Sequence, residues 1–161
     1  MVTKSNGMKI LLLLPSSIFH QELPTPSQVL LKRIFINILI ENKSFRKRII
    51  SLLISRGLNT KQIYFHEILT NDAWIRDFGP NFIVRKSSSG RQIAINLWQF
   101  NSWGEKYPWQ KDNEVSNKII SESKITYFNP KIVLEGGSID VNGEGTCLTT
   151  STCLLNLNRN G

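Results

Sequence analysis

Residues 70–80 read TNDAWIRDFGP, a stretch that places two carboxylates, a tryptophan and an arginine within six positions and then ends in Gly-Pro. Its apolar residues do not recur at the spacing of a helix face, and a buried strand would not carry two acidic side chains. A second dense segment, EGGSID, occupies residues 135–140. Together the two segments predict a pocket lined by carboxylates, which suits a cationic substrate.

The overall composition predicts a folded domain. With 161 residues, 40% of them apolar and 20% charged, the chain is long enough to bury a core and too apolar for wholesale disorder. The net charge of +8 raises the question of a nucleic-acid partner. The only basic cluster, residues 46–48, falls on a predicted helix, where a solvated face explains it. We therefore predict no nucleic-acid partner.

Cysteine usage and apolar runs bear on cellular location. Cys147 and Cys153 are too few for a disulfide scaffold and lack partners at metal-ligand spacing. We therefore expect buried thiols in a reducing cytoplasm and no metal. We also expect no cofactor, because no Gly-rich phosphate loop follows the first strand. The apolar run at residues 10–14 is short and ends at Pro15, which favours a buried strand over a signal peptide. No stretch is long enough to span a membrane.

Hydrophobic periodicity and turn residues predict a mixed α/β (α+β) fold rather than a doubly wound sheet. Strands are predicted at residues 9–14, 62–68, 81–85 and 91–100, and a hairpin of residues 131–141 and 146–155 around Asn142-Gly143. Helices are predicted at residues 28–40, 44–56 and 114–121, and a loop at residues 101–113.

Within residues 70–80, Asp77 and Trp74 are the candidate ligand-binding residues. A carboxylate accepts a guanidinium through two parallel hydrogen bonds, and a tryptophan ring can pack on an aliphatic chain or a cation. Asp72 is explained more simply as a cap or turn residue before Gly-Pro. Arg76 most simply holds a neighbouring acid in place.

Glu135 leaves two interpretations open. It ends the apolar run at residues 132–134, and the two glycines after it allow a close backbone approach. A buried glutamate needs a partner. That partner can be an internal arginine or a catalytic histidine that the carboxylate orients. His66, on a predicted strand, is better explained as a satisfied or exposed side chain than as a general base.

Four motifs occur along the chain: NDxWxRDxGP at residues 71–80, FNSWGxKY at 100–107, EGGSI at 135–139 and GTxLTTxxCLLNxNRN at 145–160. In this order they resemble the agmatine deiminase family, which also contains the bacterial peptidyl-arginine deiminases. The resemblance covers about residues 60–161 well and the preceding residues poorly. It implies a pentein fold, an α/β propeller of ββαβ-like units around a central pocket. It also implies hydrolysis of a guanidinium to a ureido group, as in conversion of agmatine to N-carbamoylputrescine during putrescine biosynthesis.

By motif position, the resemblance implies that Asp77 grips the guanidinium, Trp74 lines the aliphatic chain and Glu135 orients the catalytic histidine. In the family that histidine and the nucleophilic cysteine lie beyond the position of Gly161, and Cys153 matches a different position. We therefore expect residues 1–161 to form a single N-terminal portion of a deiminase, a partial pentein without its C-terminal units and inactive alone.

The expected ligand is a small cationic guanidine such as agmatine or peptidyl arginine. The expected protein partner is a missing C-terminal half or another copy of the chain. The alternatives are a non-catalytic module that binds guanidines or polyamines, a gene fragment without function, and a basic nucleic-acid-binding domain.

Overall fold

The computed structural model describes residues 10–15, 34–88 and 90–161, and for residues 10–15, 34 and 35 it describes the backbone pairing alone. Strands and helices alternate within these ranges, so the mixed α/β class predicted from the sequence is confirmed. The chain divides into two compact units, residues 1–69 and residues 70–161.

The first unit is a three-stranded sheet with one helix. Its elements are β1 (Ile10–Pro15), β2 (Ile34–Ile40), α1 (Lys43–Ser55) and β3 (Ile63–Glu67). The central strand, β2, pairs antiparallel with β1 and parallel with β3. Ile38 and Ile40, two positions apart on β2, are buried together with Ile49 of α1. The core of this unit therefore lies between one face of the sheet and the helix.

Helix α1 begins with a capped turn and is followed by a glycine. Asn42 precedes it, and Oδ1 of this residue accepts hydrogen bonds from the backbone N–H groups of Ser44 at 3.0 Å and Phe45 at 3.3 Å. The cap satisfies donors that a helix start leaves free. Gly57 has a φ of +72°, a conformation that costs glycine little. The predicted helix at residues 44–56 is thus confirmed, and so is the strand at residues 62–68, as β3.

The prediction of a helix at residues 28–40 is wrong for its second half. Residues 34–40 form strand β2, whereas residues 28–33 lie outside the described ranges. The strand reads IFINILI, with isoleucine at every second position, and β-branched side chains favour a strand. Because apolar residues also occupy both faces of a central strand, its sequence resembles that of a buried helix.

The second unit combines two sheets with several helical segments. Its elements are α2 (Ile75–Phe78), β4 (Asn81–Ser87), β5 (Gly90–Asn96), α3 (Ser102–Glu105), α4 (Gln110–Ser123), β6 (Thr126–Phe128), a 3-10 turn (Gly136–Ser138), β7 (Asp140–Val141), β8 (Cys147–Leu148) and α5 (Ser151–Leu155). Strand β5 pairs antiparallel with β4 and parallel with β6, and β7 pairs antiparallel with β8. Ile95 of β5 and Val115 of α4 are fully buried, so both elements contribute to the core of this unit.

Several predicted boundaries in the second unit change. Helix α4 begins at Gln110, inside the predicted loop, and β5 ends at Asn96 rather than at residue 100. The predicted hairpin is confirmed only at its centre, as β7 and β8. Residues 151–155 form helix α5 instead of strand, because Oγ1 of Thr150 caps it by accepting the backbone N–H of Cys153 at 3.1 Å.

Candidate functional site

Asp77 lies on the single-turn helix α2 and contacts the 3-10 turn at residues 136–138. Its Oδ1 atom accepts a hydrogen bond from the backbone N–H of Gly137 at 3.1 Å, across 60 positions of sequence. This bond brings together the two carboxylate-bearing segments that the sequence singles out. It also fixes one oxygen of Asp77 against the turn.

Gly136 and Gly137 permit this close approach. A Cβ atom on Gly137 would overlap Oδ1 of Asp77, and a Cβ atom on Gly136 would overlap the backbone carbonyl oxygen of Arg76. Neither glycine has a positive φ. The requirement for glycine therefore comes from the space between the turn and α2, and not from an unusual backbone conformation.

The environment of Asp77 opposes its charged form. Burial raises the pKa of this carboxyl above its ordinary value, and the negative charge of Glu135 raises it further. The Gly137 N–H, the Trp103 side chain and the charge of Arg76 act in the opposite direction and lower the pKa. The net shift of the Asp77 pKa is upward, because the protein compensates the negative charge of this carboxylate incompletely. A cationic ligand beside Asp77 would supply the missing compensation.

Glu135 is buried and pairs with an arginine. Its side chain is 2% exposed, and Oε1 lies 2.8 Å from Nε of Arg159, whose side chain is 10% exposed. The second oxygen, Oε2, is buried and has no hydrogen-bond partner among the residues that the structure describes. An internal arginine therefore occupies one oxygen of this carboxylate, and the other oxygen remains an acceptor.

A series of aromatic side chains borders Asp77. Trp74, at the start of α2, is 57% exposed and meets the half-buried Trp103 edge to face, with ring centroids 6.3 Å apart. Trp103 contacts Phe100 at 5.4 Å and Tyr107 at 6.2 Å in the same perpendicular manner. The exposed rings of Trp74 and Tyr107 therefore provide an apolar surface next to the carboxylates.

Trp103 is held by a turn with unusual backbone angles. The φ angles of residues 102–105 are +53°, +58°, +90° and +65°. Three of these residues are not glycine, and such conformations usually cost about 1–3 kcal/mol each. Asn101 stabilises the turn, because its Oδ1 accepts the N–H of Gly104 at 3.1 Å and its Nδ2 donates to the carbonyl of Asn158 at 2.7 Å. The sequence pattern predicts only a loop here, although the motif at residues 100–107 includes this turn.

The backbone before α2 is tied to the start of helix α4. Oδ1 of Asp112 accepts the N–H groups of Asn71 at 2.6 Å and Asp72 at 3.2 Å. In return, Oδ1 of Asn71 accepts the N–H of Lys111 at 2.9 Å. The Asp72 carboxylate itself accepts the N–H of Ala73 at 2.7 Å. Asp72 thus takes part in a local turn, and Asp112, for which the sequence pattern gives no signal, anchors this segment.

The chain matches the model of the Porphyromonas-type peptidyl-arginine deiminases over residues 27–161. It belongs to this family. The agmatine deiminase of Medicago truncatula is 48% identical to it over 58% of this chain and 28% of the relative. Two solved structures are similar, those of an agmatine deiminase from Enterococcus faecalis and of C. Jejuni C315S agmatine deiminase with substrate bound.

The Enterococcus structure has a TM-score of 0.61 and 35% identity, and covers 77% of this chain and 33% of its own. The C. Jejuni structure has a TM-score of 0.64 and 29% identity, and covers 95% of this chain and 46% of its own. The chain therefore spans less than half the length of these relatives.

The two cysteines belong to the second unit and the described histidine to the first. Cys147 is exposed on β8, so the expectation that it is buried is wrong, and Cys153 is half-buried on α5. Nε2 of His66 lies 2.8 Å from Oδ1 of Asn37, and both residues belong to the first unit. His66 is thus a satisfied side chain, in agreement with the sequence analysis.

Arg76 is exposed, and it makes no ion pair shorter than 4.0 Å within the described part of the chain. Its guanidinium acts on Asp77 only through its charge, which lowers the pKa of that carboxyl. Across residues 34–88 and 90–161, none of the helices has the length and apolar content needed to cross a bilayer.

Proposed function

We propose that this chain binds the guanidinium group of a small cationic ligand, agmatine or peptidyl arginine, and contributes this binding site to a deiminase. One observation carries the proposal: the Asp77 carboxylate lies beside the buried Glu135, with one oxygen held by Gly137 and its pKa raised. A planar guanidinium offers paired N–H donors to such a carboxylate. The family relationship supports the same ligand class.

The aromatic surface suits the rest of such a ligand. Trp74 and Tyr107 are both more than half exposed, and they border the carboxylate through Trp103. An aliphatic chain gains from contact with these rings, and a cation gains from their π faces. We therefore assign Trp74 to the ligand's aliphatic chain, while Asp72 supports the Asp77 segment through its local turn and Arg76 supports it through its charge.

The reaction proposed for the complete site is the hydrolysis of a guanidinium. A nucleophile adds to the guanidinium carbon, one C–N bond breaks and its nitrogen leaves as ammonia after taking up a proton, and water then releases the ureido product. From agmatine this gives N-carbamoylputrescine, a precursor of putrescine. The carboxylates of Asp77 and Glu135 can bind and orient the cation, but they supply neither a thiolate nor the proton carrier.

We propose that the nucleophile and the histidine come from outside this chain's described residues. The chain covers 33% and 46% of the two solved relatives, so most of the length of each has no counterpart here. A pentein propeller completed by further ββαβ-like units from a C-terminal half would supply them, whereas another copy of the chain could complete the propeller without adding a new kind of residue. The cytoplasm remains the predicted location.

Calorimetry with agmatine tests the binding proposal. Asp77→Asn keeps the shape of the side chain and removes its charge, so we expect affinity to fall about 10- to 150-fold, the range for loss of a hydrogen bond to a charged group. Asp140→Asn is the matched control, because Asp140 is exposed on β7 and accepts only its neighbour's N–H at 2.9 Å. Putrescine, which lacks the guanidinium, serves as the control ligand.

Equal agmatine affinity in the wild type and Asp77→Asn would refute the role of Asp77, and equal affinity for putrescine would refute guanidinium recognition.

A separate assay measures ureido product from agmatine. We expect none from the purified chain. Turnover that survives serine substitution of Cys147 and Cys153 would contradict the proposed source of the nucleophile. Binding without turnover, even after addition of the C-terminal part of a related deiminase, would favour the non-catalytic binding module instead.

A further inference from the structure

Asn160 joins the residues before Glu135 to the end of helix α5. Its Nδ2 donates to the carbonyl oxygens of Val133 at 2.8 Å and Leu154 at 2.7 Å. Its Oδ1 accepts the backbone N–H of Val133 at 2.9 Å. Val133 therefore has both of its backbone groups bound by one side chain, as it would in a β-ladder. These bonds fix the backbone two residues before Glu135.

Asn158 joins the residues around Arg159 to the turn at residues 102–105. Its carbonyl accepts the Asn101 amide at 2.7 Å, and a Cβ on Gly104 would lie 3.0 Å from the Asn158 Cβ. The turn that carries Trp103 therefore packs directly on this segment. Arg159, between these two anchored asparagines, approaches Glu135 from a backbone that is fixed on both sides.

The contact between Arg159 and Glu135 uses one donor and one acceptor. Nε of Arg159 donates to Oε1 of Glu135 at 2.8 Å. A bidentate pair would engage both carboxylate oxygens, whereas here Oε2 has no partner among the described residues and is buried. A buried acceptor without a donor is costly. The arrangement is therefore suited to a donor that arrives from outside these residues.

We propose that Arg159 is a positioning residue for Glu135, which it holds by one oxygen so that Oε2 is presented as an acceptor at the Asp77 site. This inference rests on the proposed function. Arginine suits the role because its planar group donates in a fixed direction. Lysine has the same charge but a flexible stem and a point-like head, so it would not hold the carboxylate plane in the same orientation.

Arg159→Lys is the decisive variant, because it keeps the charge and removes the directed donor. We expect agmatine binding by calorimetry to weaken about tenfold, within the range of coupling between residues in contact. We also expect the Asp77 carboxyl, followed by carbon NMR, to titrate at a different pH, since movement of the Glu135 charge changes its effect on Asp77. In a Glu135→Gln background neither effect should appear, because the group being positioned is then uncharged.

Arg85→Lys is the matched control. Arg85 lies on β4 and donates from Nε to the Gln92 side chain at 3.1 Å. We expect this variant to bind agmatine and to titrate at Asp77 as the wild type does. If Arg159→Lys does not fold, Arg159→Met replaces it; this variant removes the donor together with the charge, and its effect must likewise vanish in the Glu135→Gln background. The same loss of affinity is expected.

A folded Arg159→Lys protein with wild-type affinity and an unchanged Asp77 titration would overturn the inference and leave Arg159 as a structural charge partner. The inference would also be overturned if Arg159→Lys weakened agmatine binding in the Glu135→Gln background as much as it does in the wild type. If the wild type does not bind agmatine, the proposed function fails. The titration of Asp77 then decides the role of Arg159 alone: a shift that vanishes in the Glu135→Gln background supports it, and no shift refutes it.

Discussion

Substitution of Gly137 by alanine is expected to destabilise the protein because of one specific overlap. The added Cβ would overlap Oδ1 of Asp77, and the next neighbours are Cγ of the same residue at 3.4 Å and Cγ of Arg76 at 3.6 Å. The latter two distances are those of ordinary contacts. A single oxygen atom at the end of a rotatable side chain is therefore the obstacle. When it turns away, the half-buried carboxylate loses the Gly137 N–H donor, which costs about 1–3 kcal/mol.

The effect of Gly137→Ala on the free energy of unfolding should change sign when that oxygen is removed. In an Asp77→Ala background, the nearest of the neighbours that remain is Cγ of Arg76, at an ordinary contact distance of 3.6 Å. Gly137 has no positive φ, so alanine fits its backbone. Gly→Ala at a compatible site stabilises by about 0.4–1 kcal/mol, because the unfolded chain loses freedom. The coupling between the two substitutions should therefore amount to about 1–3 kcal/mol, the overlap cost alone, because the gain from the unfolded chain is present in both backgrounds and cancels.

Urea denaturation of the wild type, both single variants and the double variant measures this coupling. Agmatine affinity of Gly137→Ala is a second readout, and it should fall because Asp77 must move. A Gly137→Ala protein as stable as the wild type would refute the overlap. A cost that persists unchanged in the Asp77→Ala background would show that alanine is disfavoured at this turn for another reason.

Three further predictions follow from the second unit. Asn71→Ala should cost about 1 kcal/mol in urea denaturation, because Lys111 loses the acceptor that caps α4. Burial raises the pKa of Asp77, so the native state holds more protons than the unfolded state between the two pKa values, and stability falls as pH rises through that interval. Asp77→Asn should therefore gain stability relative to the wild type from about pH 4 towards neutrality, and a constant difference across pH would contradict this. Ellman's reagent should modify the exposed Cys147 of the native protein faster than the half-buried Cys153, and the reverse order in the single serine variants would be inconsistent with the structure.

Local sequence signals predicted the elements whose causes are local. Helix α1 has its Asn42 cap, an amphipathic pattern and a glycine after its end, and the hairpin centre has Asn142-Gly143. The density of charged and aromatic residues at 70–80 and 135–140 also indicated two segments that meet. For these features the residue pattern and the physical cause lie within the same few positions.

The features that were missed depend on residues distant in sequence. Strand β2 is a strand because β1 and β3 pair with both of its edges, and its composition alone also fits a buried helix. The early start of α4 depends on Asn71, some 40 positions away. The pairing of Glu135 was left open between an arginine and a histidine, and only the fold brings Arg159 to one of its oxygens.

Asn71 makes reciprocal hydrogen bonds with the first turn of α4, and these bonds control how easily that turn opens to solvent. Trp109, at the cap position of this helix, offers no side-chain acceptor, so the Lys111 amide is protected from solvent exchange only while the residues before α2 stay in place. A ligand that holds Asp77 would also hold that segment. The hydrogen-exchange rate of the Lys111 amide would then report on occupancy of the site without any probe on the ligand.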